Sequence, residues 1–392
     1  MDKNIKQNTP KLRFSGFKGP WRSTTLGHHV KEYRKLKEGG GSIPIATSSR
    51  RGLFLQGEYY SGDRSYVNED IQFKIVPRGF ITYRHMSDDS IFHFNINNIA
   101  DEVLVSPEYP VFTTNDTMST LFIHKYLNSS KRFRKFCEMQ KLGGTRTRLY
   151  FNKLVQFSLY LPSIEEQQKI AAFFSLLDQK IDKQQEKIDQ LELFKKGMLQ
   201  KIFSQEIRFK DENGQEFPEW GTVKLGDLGE TYGGLSGKTK DDFGDGECSF
   251  ITYMNVFTNT VAKIDGLEKV SIGANENQHK VLAGDILFTT SSETPEEVGM
   301  ASVWSHEIPN VYLNSFCFGF RLSKPIDPIF LAYLLRSGGY RKHITMLAQG
   351  STRYNLSKSN LMKMELSIPV NEEQKLIRDF FVKLDIKLAK RD

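Results

Sequence analysis

A chain of 392 residues is long enough for two or three domains with real cores. Its 39% apolar and 26% charged content are those of a globular protein, and no run of about 18 apolar residues is present to span a bilayer. Lys plus Arg is 54 and Asp plus Glu is 47, so the net charge of +7 leans towards an anionic partner. Cys137, Cys248 and Cys317 form no CxxC pair and no metal-ligand spacing, which predicts free thiols in a reducing compartment. Met1 to Pro10 is polar and reads as no signal peptide, so the expected setting is the cytoplasm, without membrane contact.

Residues 1–9 read as a flexible tail. KLRFSGFKGPW (Lys11 to Trp21) then leads into Thr25-Leu26-Gly27. From 30 to 120 the chain holds short β-prone runs broken by Gly, Asn and Asp, among them Ser42 to Ala46, Ile71 to Val76 and Phe80 to Tyr83. A cation-rich helix is expected over Phe122 to Lys141, followed by the turn GGTRTRL and a strand over Val155 to Leu161. Pro162 and Ser163 then open a long helix, with Ser163 and Glu166 at capping-box spacing.

From 163 to 204 apolar residues recur in a 4,3 rhythm: Ile170, Phe174, Leu177, Ile181, Ile188, Leu191, Met198 and Ile202. This heptad stripe belongs to a helix that meets another helix along its length. About 40 residues at 1.5 Å rise make a rod of roughly 60 Å, which spaces two bodies apart.

After the helix the plan restarts. Ile207-Arg208-Phe209 answers Leu12-Arg13-Phe14, Trp220 answers Trp21, and Leu225-Gly226 answers Leu26-Gly27; VLAGDILF (Val281 to Phe288) answers VPRGFITY (Val76 to Tyr83). The closing parts match at a constant offset of 350 − 143 = 207, with 16 of 39 positions identical between 143–181 and 350–388. The matches include Thr145-Arg146/Thr352-Arg353, Glu165-Glu166-Gln167/Glu372-Glu373-Gln374, Phe173-Phe174/Phe380-Phe381 and Leu177-Asp178/Leu384-Asp385. The chain is therefore a tandem duplication: a domain over 10–162, a spacer helix over 163–204, a domain over 205–369 and a shorter distal helix over 370–392. Ile377, Phe381 and Leu384 continue the apolar stripe there, so the two helices are expected to pair antiparallel. The ends of each copy match while the middles (30–120 and 228–320) diverge, which suits two modules reading different targets.

Basic residues concentrate near the turns. Thr117 to Ile164 holds the single acid Glu138 against nine cations, and no acid occurs between Pro328 and Met364, where Arg336, Arg341, Lys342, Arg353, Lys358 and Lys363 lie. Thr145-Arg146-Thr147-Arg148 and Thr352-Arg353-Tyr354-Asn355 are candidate phosphate loops, joined by Lys358. For base edges, which call for Arg, Asn, Gln or small hydroxyl side chains, the candidates are Ser48, Ser49, Arg50, Arg51 and Arg84 in the first copy. In the second they are Tyr253, Asn255, Thr290, Ser291 and Ser292. GGLSGKT (Gly233 to Thr239) fails the GxxxxGK[ST] spacing, since its first glycine would have to stand at Tyr232; Lys238 is instead a candidate phosphate contact. HExxH, GxSxG and GxGxxG motifs are missing, so no catalytic or metal residue is assigned.

Taken together, the tandem plan, LRF…PW…LG opening each half, GDILF, and P-x-x-EEQ-x-x-I-x-x-FF-x-x-LD opening each helix resemble the specificity subunit of type I restriction–modification systems. The resemblance covers essentially the whole chain. It implies an α/β fold of two target-recognition domains, each reading one half of a bipartite double-stranded DNA site. It further implies helices that fix the spacer and dock two methyltransferase subunits, which carry S-adenosylmethionine and flip adenine. Two restriction subunits with ATP and Mg would complete the assembly, and this chain would bind no cofactor and catalyse nothing. The distal helix, at roughly 30 Å, is about half the length of the first, where the family's two are usually comparable. The alternatives are a single-chain methyltransferase or nuclease fusion, against which the missing motifs count, and a coiled-coil adaptor that binds only proteins.

Overall fold

The computed structural model describes residues 10–38, 41–59, 72–141 and 144–390. The proposed tail at 1–9 lies outside them. The chain divides into two compact units, Met1–Lys183 and Gln184–Asp392, with the division falling inside a 40-residue helix, Ile164–Phe203.

In the first unit an antiparallel sheet runs in the order Val30–Glu32, Val111–Thr114, Ile81–Tyr83, Phe94–Ile96. Its buried face carries Tyr83, Phe94 and Phe112, which meet Phe122, Phe133 and Phe157 from the helices and the strand that follow. A second sheet, Glu102–Val105, Gln72–Pro77 and Leu36–Glu38, makes a smaller core around Phe73 and Leu104. The expected helix over Phe122 to Lys141 is two helices, Thr120–Ser129 and Lys131–Glu138. The break lies at Ser130, which leaves helical geometry to accept the Phe133 amide on its hydroxyl at 3.2 Å. Of the expected strand Ser42 to Ala46, only Ala46 joins one, the hairpin Ala46–Ser49/Gly52–Leu55.

The second unit repeats this plan. Its four-stranded sheet runs Gly229–Gly233, Cys317–Leu322, Ile286–Thr289, Ala301–Val303. The adjoining three-stranded sheet contains one parallel pair, Phe243–Ile251 with Val311–Leu313. One close approach and one left-handed turn explain glycines in the run near 233. A Cβ on Gly234 would lie 2.1 Å from the Asn314 carbonyl oxygen, and Gly237 holds φ +67°. Gly234 lets its backbone close on that of Asn314, and Gly237 supplies a left-handed turn.

The duplicated sequence ends turn out to be one duplicated device. In each unit the opening strand pairs antiparallel with the strand that feeds the helix: Arg22–Thr25 with Ser158–Leu161, and Gly221–Lys224 with Glu365–Ile368. The EEQ motif then locks helix to domain. Glu166 is fully buried and takes both fork nitrogens of Arg13 at 2.6 Å; Glu373, equally buried, takes Arg208 at 3.2 and 2.8 Å and the Trp220 indole at 3.1 Å. Gln167 donates to the Pro162 carbonyl and accepts the Ser119 amide, while Gln374 donates to Pro369 and accepts the Asp327 amide. The capping box expected at Ser163 and Glu166 is therefore half made. Ser163 accepts the Glu166 amide, but the Glu166 carboxylate is turned to Arg13.

The C-terminal helix Asn371–Ala389 lies antiparallel to the end of the long one: Phe194 meets Phe380, Phe203 stacks on Phe381, and Lys195 pairs with Asp385. Ile377, Phe381 and Leu384 do not form a bare two-helix seam. They are buried in the second unit's core with Ile202, Phe330 and Tyr333. Ile188 and Leu191 are half-buried, and Ile170 packs on the first unit's core. Phe174, Leu177 and Ile181 are exposed, at 47%, 40% and 66%, so the continuous seam expected through them finds no facing helix among the described residues.

Candidate nucleic-acid interface

Each unit carries one cleft in which a duplicated segment meets a divergent one. In the first, Thr147–Arg148 pairs with Met86–Ser87, and the Leu149 amide donates to the His85 carbonyl at 2.8 Å. In the second, Tyr354–Leu356 pairs with Ser291–Ser292, and the Leu356 amide donates to the Thr290 carbonyl at 2.9 Å. Leu149 and Leu356 stand at the same 207 offset. In the second unit the Arg-bearing turn and the Ser/Thr loop that the sequence singled out separately are thus two edges of one ladder; in the first, the turn pairs with the strand just after Arg84.

The first cleft is about 630 Å³ and is lined by Thr47, Ser48, Ser49, Arg50, Arg51, Arg84, Asp88 and Asp89, among others. Arg50 and Arg51 stand at the tip of the Ala46–Ser49/Gly52–Leu55 hairpin. Arg50 is held by Asp89 at 2.5 Å and Arg146 by Asp88 at 2.8 Å. The Arg50 fork and the Ser87 hydroxyl together hold the Asp89 carboxyl far below the usual carboxylate range. Arg51 stacks over the Tyr59 ring at 5.2 Å. Arg84, Thr145 and Arg148 are exposed, whereas Ser48 is buried and accepts from the Asn95 amide at 2.8 Å. Three arginines therefore line the cleft and Arg146 and Arg148 stand beside it; Arg50 and Arg146 are pre-oriented by aspartates that the sequence did not single out. A fork whose carboxylate partner is exposed and screened by water can exchange that partner for a phosphate or a guanine edge.

The second cleft is about 340 Å³, lined by Tyr253, Met254, Phe257, Ser291, Ser292, Glu293, Glu297, Phe316 and Arg353. Tyr253 donates its hydroxyl to the Ser291 carbonyl at 2.8 Å, and Ser292 donates to Glu297 at 3.0 Å. Arg353 lies over the Phe316 ring at 5.3 Å. Thr352 and Lys358 are exposed, Tyr354 is half-buried, and Thr290 serves through its backbone, its amide donating to Phe316 at 2.9 Å.

Two predicted contacts turn inward. Asn255 is 4% exposed, donating to the Lys263 carbonyl at 2.8 Å and accepting its amide at 2.9 Å, so its amide group is spent inside the unit. Lys238 is buried among Glu276 at 2.6 Å, the Ser271 carbonyl at 2.6 Å and Asp242, because its loop folds back onto that strand end. Two arginines of the basic stretch between Pro328 and Met364 also turn inward. Arg336 donates to the carbonyls of Ala301, Val256, Phe257 and Asn259, and Arg341 to those of Gly299, Glu296 and Val298; burial pulls both down to about 10. Among the described residues no cluster of His, Cys, Asp and Glu could hold a metal ion.

The type I restriction modification DNA specificity domain matches residues 30–193 and again 218–391. The chain belongs to that family. Two curated relatives are similar. The type I restriction enzyme MjaVIII specificity subunit of Methanocaldococcus jannaschii is 26% identical over 57% of this chain and 54% of its own length. The StySPI specificity subunit of Salmonella potsdam is 24% identical over 46% and 39%. The matches thus span about half or less of those relatives. The fold is that of the S subunit of the type I system from M. genitalium, with TM-score 0.55 at 15% identity over 98% of this chain and 94% of that one. A chain from a structure of type I system assembly and conformational transition matches with TM-score 0.54 at 15% identity, over 97% and 93%. Two specificity domains, each followed by a helix, are what the repeat had predicted. No helix among the described residues is long and apolar enough to cross a membrane.

Proposed function

We propose that this chain is the non-catalytic DNA-recognition subunit of a type I restriction–modification complex, each domain reading one half of a bipartite site. The observation that carries it is the repeated ladder: the strand that follows the shared Thr-Arg pair holds a divergent segment beside each cleft. Shared phosphate contacts with unshared base contacts is the division of labour that sequence-specific DNA binding requires. The first cleft's arginine forks suit guanine edges. The long helix sets the spacer, and its exposed Phe174, Leu177 and Ile181 dock methyltransferase subunits that bring S-adenosylmethionine; restriction subunits bring ATP and Mg.

The test is a map of methylated adenines in cells producing this chain with its methyltransferase. Exchanging residues 30–150 for those of another family member should change one half-site and leave the other intact. Inserting two helical turns between Ile181 and Gln200 should lengthen the spacer. Both half-sites changing together, or an unaltered spacer, would refute the reading.

A further inference from the structure

The two clefts differ in chemistry as well as in sequence. Large apolar side chains lining the first, Met86, Ile91 and Phe92, are half-buried or buried. In the second, Met254 and Phe316 face the opening at 57% and 52% exposure. Neither is loose. Met254 sits in the first turn of the short helix Tyr253–Thr258, whose N-cap Thr252 accepts the Asn255 amide at 3.2 Å. Phe316 is pinned by its carbonyl to Thr290 and by its amide to the Asn314 side chain at 2.9 Å. Around this apolar pair stand three polar groups. Arg353 covers the Phe316 ring, Glu297 is engaged by Ser292, and Glu293 is exposed at the rim.

An exposed Met–Phe pair set at a nucleic-acid cleft, flanked by one cation and one acceptor, matches one feature of the major groove. Thymine is the only base with a methyl group there, and its partner adenine offers an amino donor beside it. We propose that Met254 and Phe316 form the seat for a thymine 5-methyl group in the half-site read by the second domain. Glu293 accepts from the exocyclic amine next to it, and Arg353 holds the adjoining phosphate. This rests on the DNA-recognition assignment above.

The test uses the full chain assembled with its methyltransferase subunits on a duplex carrying the mapped site. Each thymine of the second domain's half-site is replaced singly by deoxyuridine, which removes the methyl group and nothing else. One replacement should weaken binding about fourfold, the factor associated with burying one methyl group. That penalty should vanish in Met254→Ala, persist in Met254→Leu, and be absent for thymines of the other half-site. No penalty at any thymine of that half-site would overturn the inference, as would a penalty unchanged in both Met254→Ala and Phe316→Ser. Both side chains are half exposed, so the variants keep the fold. If the wild-type assembly showed no salt-sensitive retention of any DNA, the recognition assignment itself would fall and this inference with it.

Discussion

Removing the Glu373 carboxylate should separate the second domain's packing from its helix. Glu373 is fully buried and receives three hydrogen bonds, two from Arg208 and one from Trp220. Breaking a buried ion pair by deleting one partner costs about 3–5 kcal/mol. The Arg208 side chain keeps 17% exposure, so water relieves part of its stranded charge, and the lower end applies. The orphaned indole adds about 1 kcal/mol. Glu373→Ala should thus lose about 4 kcal/mol, lowering the second unit's melting by roughly 8–16 °C for a body of about 200 residues. Scanning calorimetry of Glu373→Ala, Arg208→Ala and the double variant closes a cycle. Coupling of about 2 kcal/mol or more is expected, because the second deletion has little left to break. Additive losses, within about 0.5 kcal/mol, would refute the clamp. Glu166→Ala should lose about 1 kcal/mol less, since the buried Trp21 indole nitrogen makes no hydrogen bond in its place.

Three further outcomes follow from burial. Cys137 and Cys317 are buried, the first pushed up to about 12 and the second also raised, so an aromatic disulfide at pH 8 should titrate only Cys248 in the native chain and all three thiols in denaturant; fast native labelling that survives Cys248→Ser would contradict this. Burial holds the imidazoles of His29, His85, His93 and His124 below the ordinary histidine value. Each is neutral when folded and binds a proton more readily when unfolded, so their contribution is complete above about pH 6.5 and is lost as pH falls through the folded values. The first unit should melt lower at pH 5.5 than at 7.5, and His124→Gln should blunt the difference; an undiminished difference in both His124→Gln and His85→Gln would point elsewhere. Arg336→Met leaves four carbonyls without their donor and should cost about 3 kcal/mol or more in thermal melts while leaving the salt slope of DNA binding unchanged; a shallower slope would return Arg336 to the phosphate contacts.

Duplication was the most legible property of the chain, because the residues kept in both copies do the same mechanical task twice. Arg13 and Arg208, Glu166 and Glu373, Gln167 and Gln374 recur in the alignment and again in the hydrogen bonds. The heptad stripe was legible as a helix but not as a partnership. A 4,3 rhythm states which face is apolar, and a domain core satisfies that face of Ile377, Phe381 and Leu384 as well as another helix does. Single basic or amide residues were the least legible. Lys238, Arg336 and Asn255 read as surface contacts, but whether each turns back onto acids or carbonyls depends on approaches from residues 38, 77 and 8 positions away, which spacing alone does not reveal. Asp88 and Asp89 carried no pattern at all, and Met254 and Phe316 belonged to no motif.

The ladder that joins each divergent segment to the strand after the shared Thr-Arg pair is made of main-chain groups: the amides of Leu149 and Leu356 on the carbonyls of His85 and Thr290. Main chain is the same whatever residue carries it. A gene segment encoding a new loop can therefore be spliced in by recombination and still find its mooring, with no matching mutation elsewhere. Under the proposed role, a new loop would change the sequence that is read while the rest of the chain stays unaltered.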